Sequence, residues 1–548
     1  MMQGTQTVLV VGAGIGGLVA AARLAHAGFA VTVLDKADAP GGKMREVMVG
    51  GRPVDSGPTV FTLRSVFDAL FEAAGARLED HVTLVPADVL ARHSWPDGTM
   101  LDLFADPARS VDAIGAGFGP REAEGFRRFA DDAARIYRTL EHIFMRDQKT
   151  TPLGLTVRIG LGKAHHLARI GTHTTLWRSL GRYFRDPRLR QLFARYATYT
   201  GSDPFRAPGV LALIAAVELE GVWLVEGGMH RLARAIEALG RASGARYRYG
   251  AAATAIEVAG GRVAAARLQT GERIAADHVV FAGDPAALSG GLLGAAVEGA
   301  VPRLPSRARS LSAVTLSMLG DAGDYPLTRH TVFFSGDYAR EFRELGRGLA
   351  PSDPTIYICA QDRGAGAVEA VTGPERMLAI MNAPANGDRL TWDDEEKERC
   401  ASRIFGTLAA HGLRLDGRAT PTVITTPSDF ASLFPGTGGA IYGRATHGPF
   451  ATFLRPGARS RIPGLWLAGG GTHPGAGVPM VALSGLLAAD ALIADRASIR
   501  GFHRAAMPGG MSMPSPTTGA MALPSSPSSA PSSPPGITGP AAATPPTM

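Results

Sequence analysis

The stretch Thr7–Arg23, TVLVVGAGIGGLVAAAR, decides the fold. Val8–Val11 reads as a buried strand, glycines follow at once, and Leu18–Ala27 reads as an alanine-rich helix ending at Gly28. Val31–Leu34 is the next short strand, so the chain opens as a βαβ unit of a parallel sheet. Gly12, Gly14 and Gly17 have the G-x-G-x-x-G spacing of a dinucleotide-binding turn. The first glycine permits the tight turn, the second lets backbone approach a pyrophosphate, and the third lets the helix pack closely on the strand. Asp35 follows Gly17 by eighteen residues and ends the second strand, placed to accept hydrogen bonds from a ribose diol. An acid there disfavours a 2′-phosphate, so NADP is not expected. Gly115, Gly117 and Gly119 look similar, but no such strand precedes them and Pro120 follows, so they read as an ordinary loop.

With 548 residues the chain exceeds one ordinary core, and a two-lobed protein with insertions is expected. A content of 45% hydrophobic and 19% charged residues is globular with an apolar lean. The two cysteines, Cys359 and Cys400, exclude a disulfide framework and a cysteine-based metal site, and fit a reducing cytosol. No basic region precedes the first apolar run, which argues against a secretory signal. The apolar stretches Val8–Ala22 and Ile462–Ala489 are too interrupted by glycine and proline to be expected to span a membrane. Past Arg504 no charged residue occurs, and the Pro/Ser-rich tail at 505–548 reads as disordered.

A second glycine turn separates FAD from NAD. Pro40, Gly41, Gly42 and Lys43 stand where a chain binding only NAD would continue into its next helix, and VDSGPTVFT, Val54–Thr62, then makes a glycine-proline corner before a helix from about Ser65 to Ala74. EGGMHRLARAIEALGRASGA and the short strands up to HVVFAGDP read as a return to the sheet. Residues 290–450 read as a second irregular block, after which RIPGLWLAGGGTHPGAGVPMVALSGLLAADALIA repeats strand, glycine loop and helix.

These motifs resemble the FAD-containing amine oxidase-like flavoproteins, and among them the bacterial-type phytoene desaturase or carotenoid dehydrogenase family. DKADAPGGKM, DSGPTVFTLRSVFDALF and LWLAGGGTHPGAGVPMVALSG carry the resemblance, which covers roughly residues 7–500. ARHSWPDGTMLDLFAD, RYATYTGSDPF, GVWLVEGGMHRLA, TIYICAQDR and FPGTGGAIYG are similar to the hydroxyneurosporene (methoxyneurosporene) dehydrogenase branch, which desaturates 1-hydroxycarotenoids at the 3,4 position in spheroidene and spirilloxanthin synthesis. GGK in place of the commoner GGR and the Pro/Ser tail depart from the family pattern.

The resemblance implies an α/β Rossmann-type FAD-binding domain with an inserted mixed α+β substrate domain. The expected bounds are 1–85, 226–290 and 451–504 for the first, and 86–225 and 291–450 for the second, its 86–225 segment facing a membrane. It implies that Gly12, Gly14, Gly16, Gly17, Asp35, Lys36, Gly41, Gly42 and Lys43 meet the ADP half of FAD. Gly57, Pro58 and Thr59 would line the ring, and Gly470, Gly471, Gly477, Val478, Pro479 and Met480 would meet pyrophosphate, ribitol and isoalloxazine. Backbone N–H groups of a glycine loop at a helix start suit anionic oxygens. His473 in that loop is a candidate for the redox step, against the plainer role of a hydrogen-bonded residue that shapes the loop.

Flavin N5 is the implied hydride acceptor, and the allylic cation left on the polyene makes the neighbouring C–H acidic, so no strong His/Asp dyad is expected and none is visible. Catalysis would rest on holding a rod-like acyclic carotenoid in a dry tunnel. Residues 151–200 hold nine Lys or Arg against one acid, Asp186, interleaved with apolar residues, which suits peripheral attachment to the inner or photosynthetic membrane from the cytoplasm. An ordinary solvated basic face gives the same pattern, and no nucleic-acid motif accompanies it. His165, His166 and His173 lack helical metal-pair spacing, so no metal is expected. The electron acceptor stays open between quinone and oxygen. A phytoene desaturase or carotenoid isomerase is the alternative within the family, and a non-catalytic prenyl-lipid carrier resembling the GDP-dissociation inhibitors is the alternative from another class.

Overall fold

The computed structural model describes residues 5–159, 173–366, 371, 373–417 and 419–505. Residues 1–497 form one compact unit and residues 498–548 a second, of which only the helix end through Ala505 is described. His165, His166, part of the basic 151–200 stretch and nearly all of the Pro/Ser-rich tail lie outside the described residues.

A five-stranded parallel sheet organises the first unit. Its spatial order is Arg246–Arg248, Ala30–Leu34, Thr7–Val11, His278–Phe281 and Leu465–Leu467, so its strands come from three distant stretches of chain. Val8 and Val10 of the central strand are buried with Leu18, Val19 and Leu24 of the helix Ile15–His26, and each such fully buried side chain contributes roughly 1.5–3 kcal/mol. That helix begins at Ile15 rather than Leu18, which places Gly16 and Gly17 inside its first turn.

The block at 290–450 is far more regular than its sequence suggests. It supplies five strands of a seven-stranded sheet ordered Thr422–Thr425, Ser312–Gly320, Glu375–Ala383, Ile356–Ala360, His330–Phe333, Val89–Ser94 and Met100–Phe104. Neighbours are antiparallel except for His330–Phe333 against Val89–Ser94. Every residue of Ser312–Gly320 is buried, so the strand lacks the apolar-polar alternation that would reveal it.

One further expectation is corrected. Gly115 and Gly117 lie inside a helix, Pro107–Phe118, rather than a loop; Asp106 caps its start by accepting from Ala108 N at 2.8 Å, and Gly119 ends it in the left-handed region at φ 92°. The helix read after the C-terminal glycine loop forms as Val478–Ala505, with the glycines and prolines of the stretch almost wholly before it. Val478–Ala497 is long and apolar enough to cross a membrane, but 61% of it is buried inside the protein. Val478, Ala482, Leu483 and Leu492 belong to the main core, so this is a helix packed on the sheet.

Candidate functional site

The loops at the carboxyl ends of the parallel strands open onto one cavity of ≈ 1260 Å³. This is where an open α/β sheet binds ligands, since strand ends and helix starts there leave backbone N–H groups free. The helices Ile15–His26 and Val478–Ala505 both begin on the cavity wall, directly after glycine turns.

The first glycine turn is held by Gly12 N, which donates to Leu34 O at 2.8 Å. Gly17 does not reach the cavity: a Cβ there would lie 2.0 Å from Gly12 O and 2.9 Å from the Ala282 Cβ. Its expected contact with the ADP half is therefore corrected to close packing of helix on strand. Gly12, Gly14 and Gly16 do line the cavity. The second turn packs on the first, with Gly41 N donating to Ala13 O at 2.8 Å. Gly41 stands at φ 115°, and a Cβ there would meet Met44 O at 2.2 Å, so only glycine fits. His230 braces this turn from behind, its Nε2 2.8 Å from Pro40 O.

Asp35 lies at the cavity wall, its carboxylate accepting from Ala13 N at 2.6 Å and Ala37 N at 2.8 Å. Lys36 is exposed at the rim and donates to Ser432 O at 2.8 Å. Gly42, Lys43, Gly57, Pro58 and Thr59 line the wall, as do Gly470, Gly471, Gly477, Val478, Pro479 and Met480 from the opposite end of the chain. Lys43 Nζ donates to Ile441 O and faces the Phe434 ring at 5.5 Å. Burial pulls its pKa down; Asp284 works against that and Arg455 adds to it.

His473 turns away from the cavity. It is buried, its Nε2 is 3.1 Å from Asp147 O, and its ring meets Phe144 edge-on at 4.9 Å. Burial holds it below the usual histidine pKa, which fits a neutral side chain shaping the loop.

Several wall residues carry no sequence motif. Arg455 is 4% exposed and donates to Gly470 O at 2.7 Å, Arg444 O at 2.7 Å and Tyr442 O at 3.1 Å. Burial pushes its pKa down to about 10, so it stays charged at the glycine-lined half of the wall, which also carries Lys43. Asp284 caps the short helix Pro285–Ser289 at the same wall. Further along, Arg195, Tyr199 and Glu218 face the cavity, and Tyr357 Oη lies 2.7 Å from Thr59 Oγ1 and 2.7 Å from His330 Nδ1. Burial, with Arg329 and Arg195 nearby, pushes His330 down to about 3, so it is neutral. Arg195 and Tyr199 lie in RYATYTGSDPF and Tyr357 in TIYICAQDR, two stretches that carry the family resemblance, but no spacing there assigns these residues a role. Beyond them the wall is apolar, formed by Leu140, Phe144, Leu155, Val210, Ile214 and Val217.

The site fits a flavin dinucleotide. It offers two helix starts for a pyrophosphate, an acid at the end of the second strand, turns that a Cβ would fill, and two basic side chains, Lys43 and Arg455. The sequence profile described as "Flavin containing amine oxidoreductase" matches residues 15–493. A hydroxyneurosporene desaturase of Rubrivivax gelatinosus is 49% identical over 94% of this chain and 99% of its own length. One from Cereibacter sphaeroides is 49% identical over 91% and 99%. A putrescine oxidase superposes with a TM-score of 0.54 at 16% identity, covering 90% of this chain and 99% of that one, a likeness of fold alone. The chain belongs to the flavin-containing amine oxidoreductase family, as an oxidoreductase whose cofactor is FAD.

Proposed function

We propose that the protein desaturates an acyclic carotenoid with a 1-hydroxy or 1-methoxy end group at its 3,4 bond, in spheroidene or spirilloxanthin synthesis, at a membrane surface. The observation that carries this is a single cavity joining a glycine- and cation-lined half to an apolar half. The names and 49% identity of the two hydroxyneurosporene desaturases support the same substrate class.

In this reading the FAD lobe is assembled from 1–85, 226–290 and 451–504, as the three-part parallel sheet supports. Gly12, Gly14, Gly16, Asp35, Lys36, Gly41, Gly42 and Lys43 hold the ADP half, with Arg455 as an added cation beside the pyrophosphate. Gly57, Pro58 and Thr59 line the ring, and Gly470, Gly471, Gly477, Val478, Pro479 and Met480 meet pyrophosphate, ribitol and isoalloxazine. Bound FAD supplies the hydride acceptor. The chain's part is to align the polyene along Leu140, Leu155, Ile214 and Val217 and to exclude water, with no side chain required as a strong base.

Access from a bilayer is supported by exposed apolar side chains around the apolar half. Leu153 (74% exposed) and Val157 (63%) flank the cavity-lining Leu155 on the helix Pro152–Ile159, while Phe450 (57%) and Leu454 (55%) flank Phe453. Such side chains suit the boundary between lipid headgroups and acyl chains.

The test is incubation of the FAD-loaded protein with membranes carrying 1-hydroxyneurosporene, neurosporene or phytoene, with quinone or oxygen as acceptor. Each added conjugated double bond shifts absorption to the red, and the shift is expected with the first carotenoid. A shift with phytoene alone makes the protein a phytoene desaturase, isomerised product without added conjugation makes it an isomerase, and tight retention of prenyl lipid without conversion makes it a carrier.

A further inference from the structure

A polar cluster interrupts the wall of the cavity at Arg195, Tyr199 and Glu218. Arg195 Nη1 donates to Tyr199 Oη at 2.9 Å, and among the described residues its other N–H groups have no protein acceptor. Its guanidinium lies 5.0 Å from the centre of the Tyr199 ring and 5.5 Å from that of Tyr357. Glu218 accepts from Tyr196 Oη at 2.7 Å and from the Tyr199 hydroxyl, and among the described residues it has no ion pair with Arg195. Burial draws the Glu218 pKa up, while Tyr196, Tyr199 and Arg195 oppose it. Burial pulls the Arg195 pKa down, and the facing Tyr199, Glu218 and Tyr357 more than offset it, so Arg195 is charged. A charged group of this kind beside an apolar wall is unfavourable unless something else takes its free hydrogens.

The substrate class proposed above has one oxygen to offer. It sits on C1, two carbons from the bond that is desaturated, so it must lie close to the reacting end of the tunnel. The polar cluster is at that end: the Tyr357 ring that faces Arg195 carries the hydroxyl bonded to Thr59, in the corner expected to line the flavin. We propose that Arg195, with Tyr199 and Glu218, is the subsite for the C1 oxygen and sets which bond of the polyene is presented. This inference rests on the substrate reading given above. A guanidinium only donates, so it serves a hydroxyl and a methoxyl oxygen alike. The carboxyl of Glu218 adds an acceptor that only a hydroxyl can use. The apolar wall at Ile214 and Val217 takes the rest of the polyene.

The test compares FAD-loaded wild type, Arg195→Leu and Tyr199→Phe, each checked for flavin absorbance and melting temperature. Phosphatidylcholine vesicles carrying 1-hydroxyneurosporene or neurosporene are mixed with each protein, and protein-bound carotenoid is read by absorption after the vesicles are removed. Wild type is expected to retain the hydroxylated carotenoid in preference, and Arg195→Leu to lose about 10- to 100-fold of that preference, as for a charge-assisted hydrogen bond, with neurosporene retention unchanged. Tyr199→Phe, which removes one oxygen, should lose a smaller part and keeps the test open if the leucine variant does not fold. Unchanged preference in both variants, while wild type still converts 1-hydroxyneurosporene, overturns the subsite alone. Wild type that neither retains nor converts 1-hydroxyneurosporene overturns the substrate reading and the subsite with it.

Discussion

The glycine-lined half of the cavity is built of backbone, and the apolar half of side chains. In the first, turns at Gly12 and Gly41 press against each other and against the helix starts, so the wall has almost no freedom to shift. In the second, Leu140, Leu155, Ile214 and Val217 stand on three helices, the last two on one, and their rotamers can adjust. A rigid backbone cradle suits a ligand of one fixed shape, and a side-chain wall suits a long apolar chain that must slide in and out. The difference teaches that damage to the two halves should separate.

Gly17→Val is the harshest test. A side chain has no room between Gly12 O and Ala282, so a loss of about 3 kcal/mol or more and protein purified without flavin are expected, by denaturation and absorbance. Ile214→Trp should leave flavin binding intact while turnover falls on the order of 100-fold, since the polyene is displaced from its alignment; flavin loss in this variant would break the distinction between halves. Arg455→Met strips the donors from three carbonyls beside the glycine loop and should raise the FAD dissociation constant roughly 10- to 100-fold, read by flavin fluorescence titration. The mildest effect is expected for His473→Gln, with kcat/KM within about threefold of wild type and about 1 kcal/mol of stability lost with the Phe144 contact. Its pH-rate profile should match that of wild type, because burial already keeps the imidazole neutral. A lost pH limb would instead give His473 a part in the chemistry.

The cradle was legible in sequence because backbone walls leave a record: where no Cβ fits, only glycine is written, and it is written at fixed spacing. The side-chain wall leaves no such record. Arg195, Glu218, Tyr357 and Arg455 come from four separate stretches and converge only in space. The strand Ser312–Gly320 escaped notice for a different reason, since burial on both faces erased its alternation. The helix Pro107–Phe118 was hidden by its two internal glycines, which cost roughly 1 kcal/mol each and are carried by the Asp106 cap and the proline at its first position.

The three-part sheet also sets a clock. Thr7–Val11 is synthesised first, yet its neighbour His278–Phe281 follows only after more than half the described chain, and the last strand, Leu465–Leu467, comes close to the end. On a ribosome the glycine cradle stays half-built while the apolar wall is already exposed, and it closes only once the final strand and the loop beyond it have emerged. Flavin capture is thus a signal that the whole fold has been completed, which makes the cofactor a late-acting lock on the chain as well as its reagent.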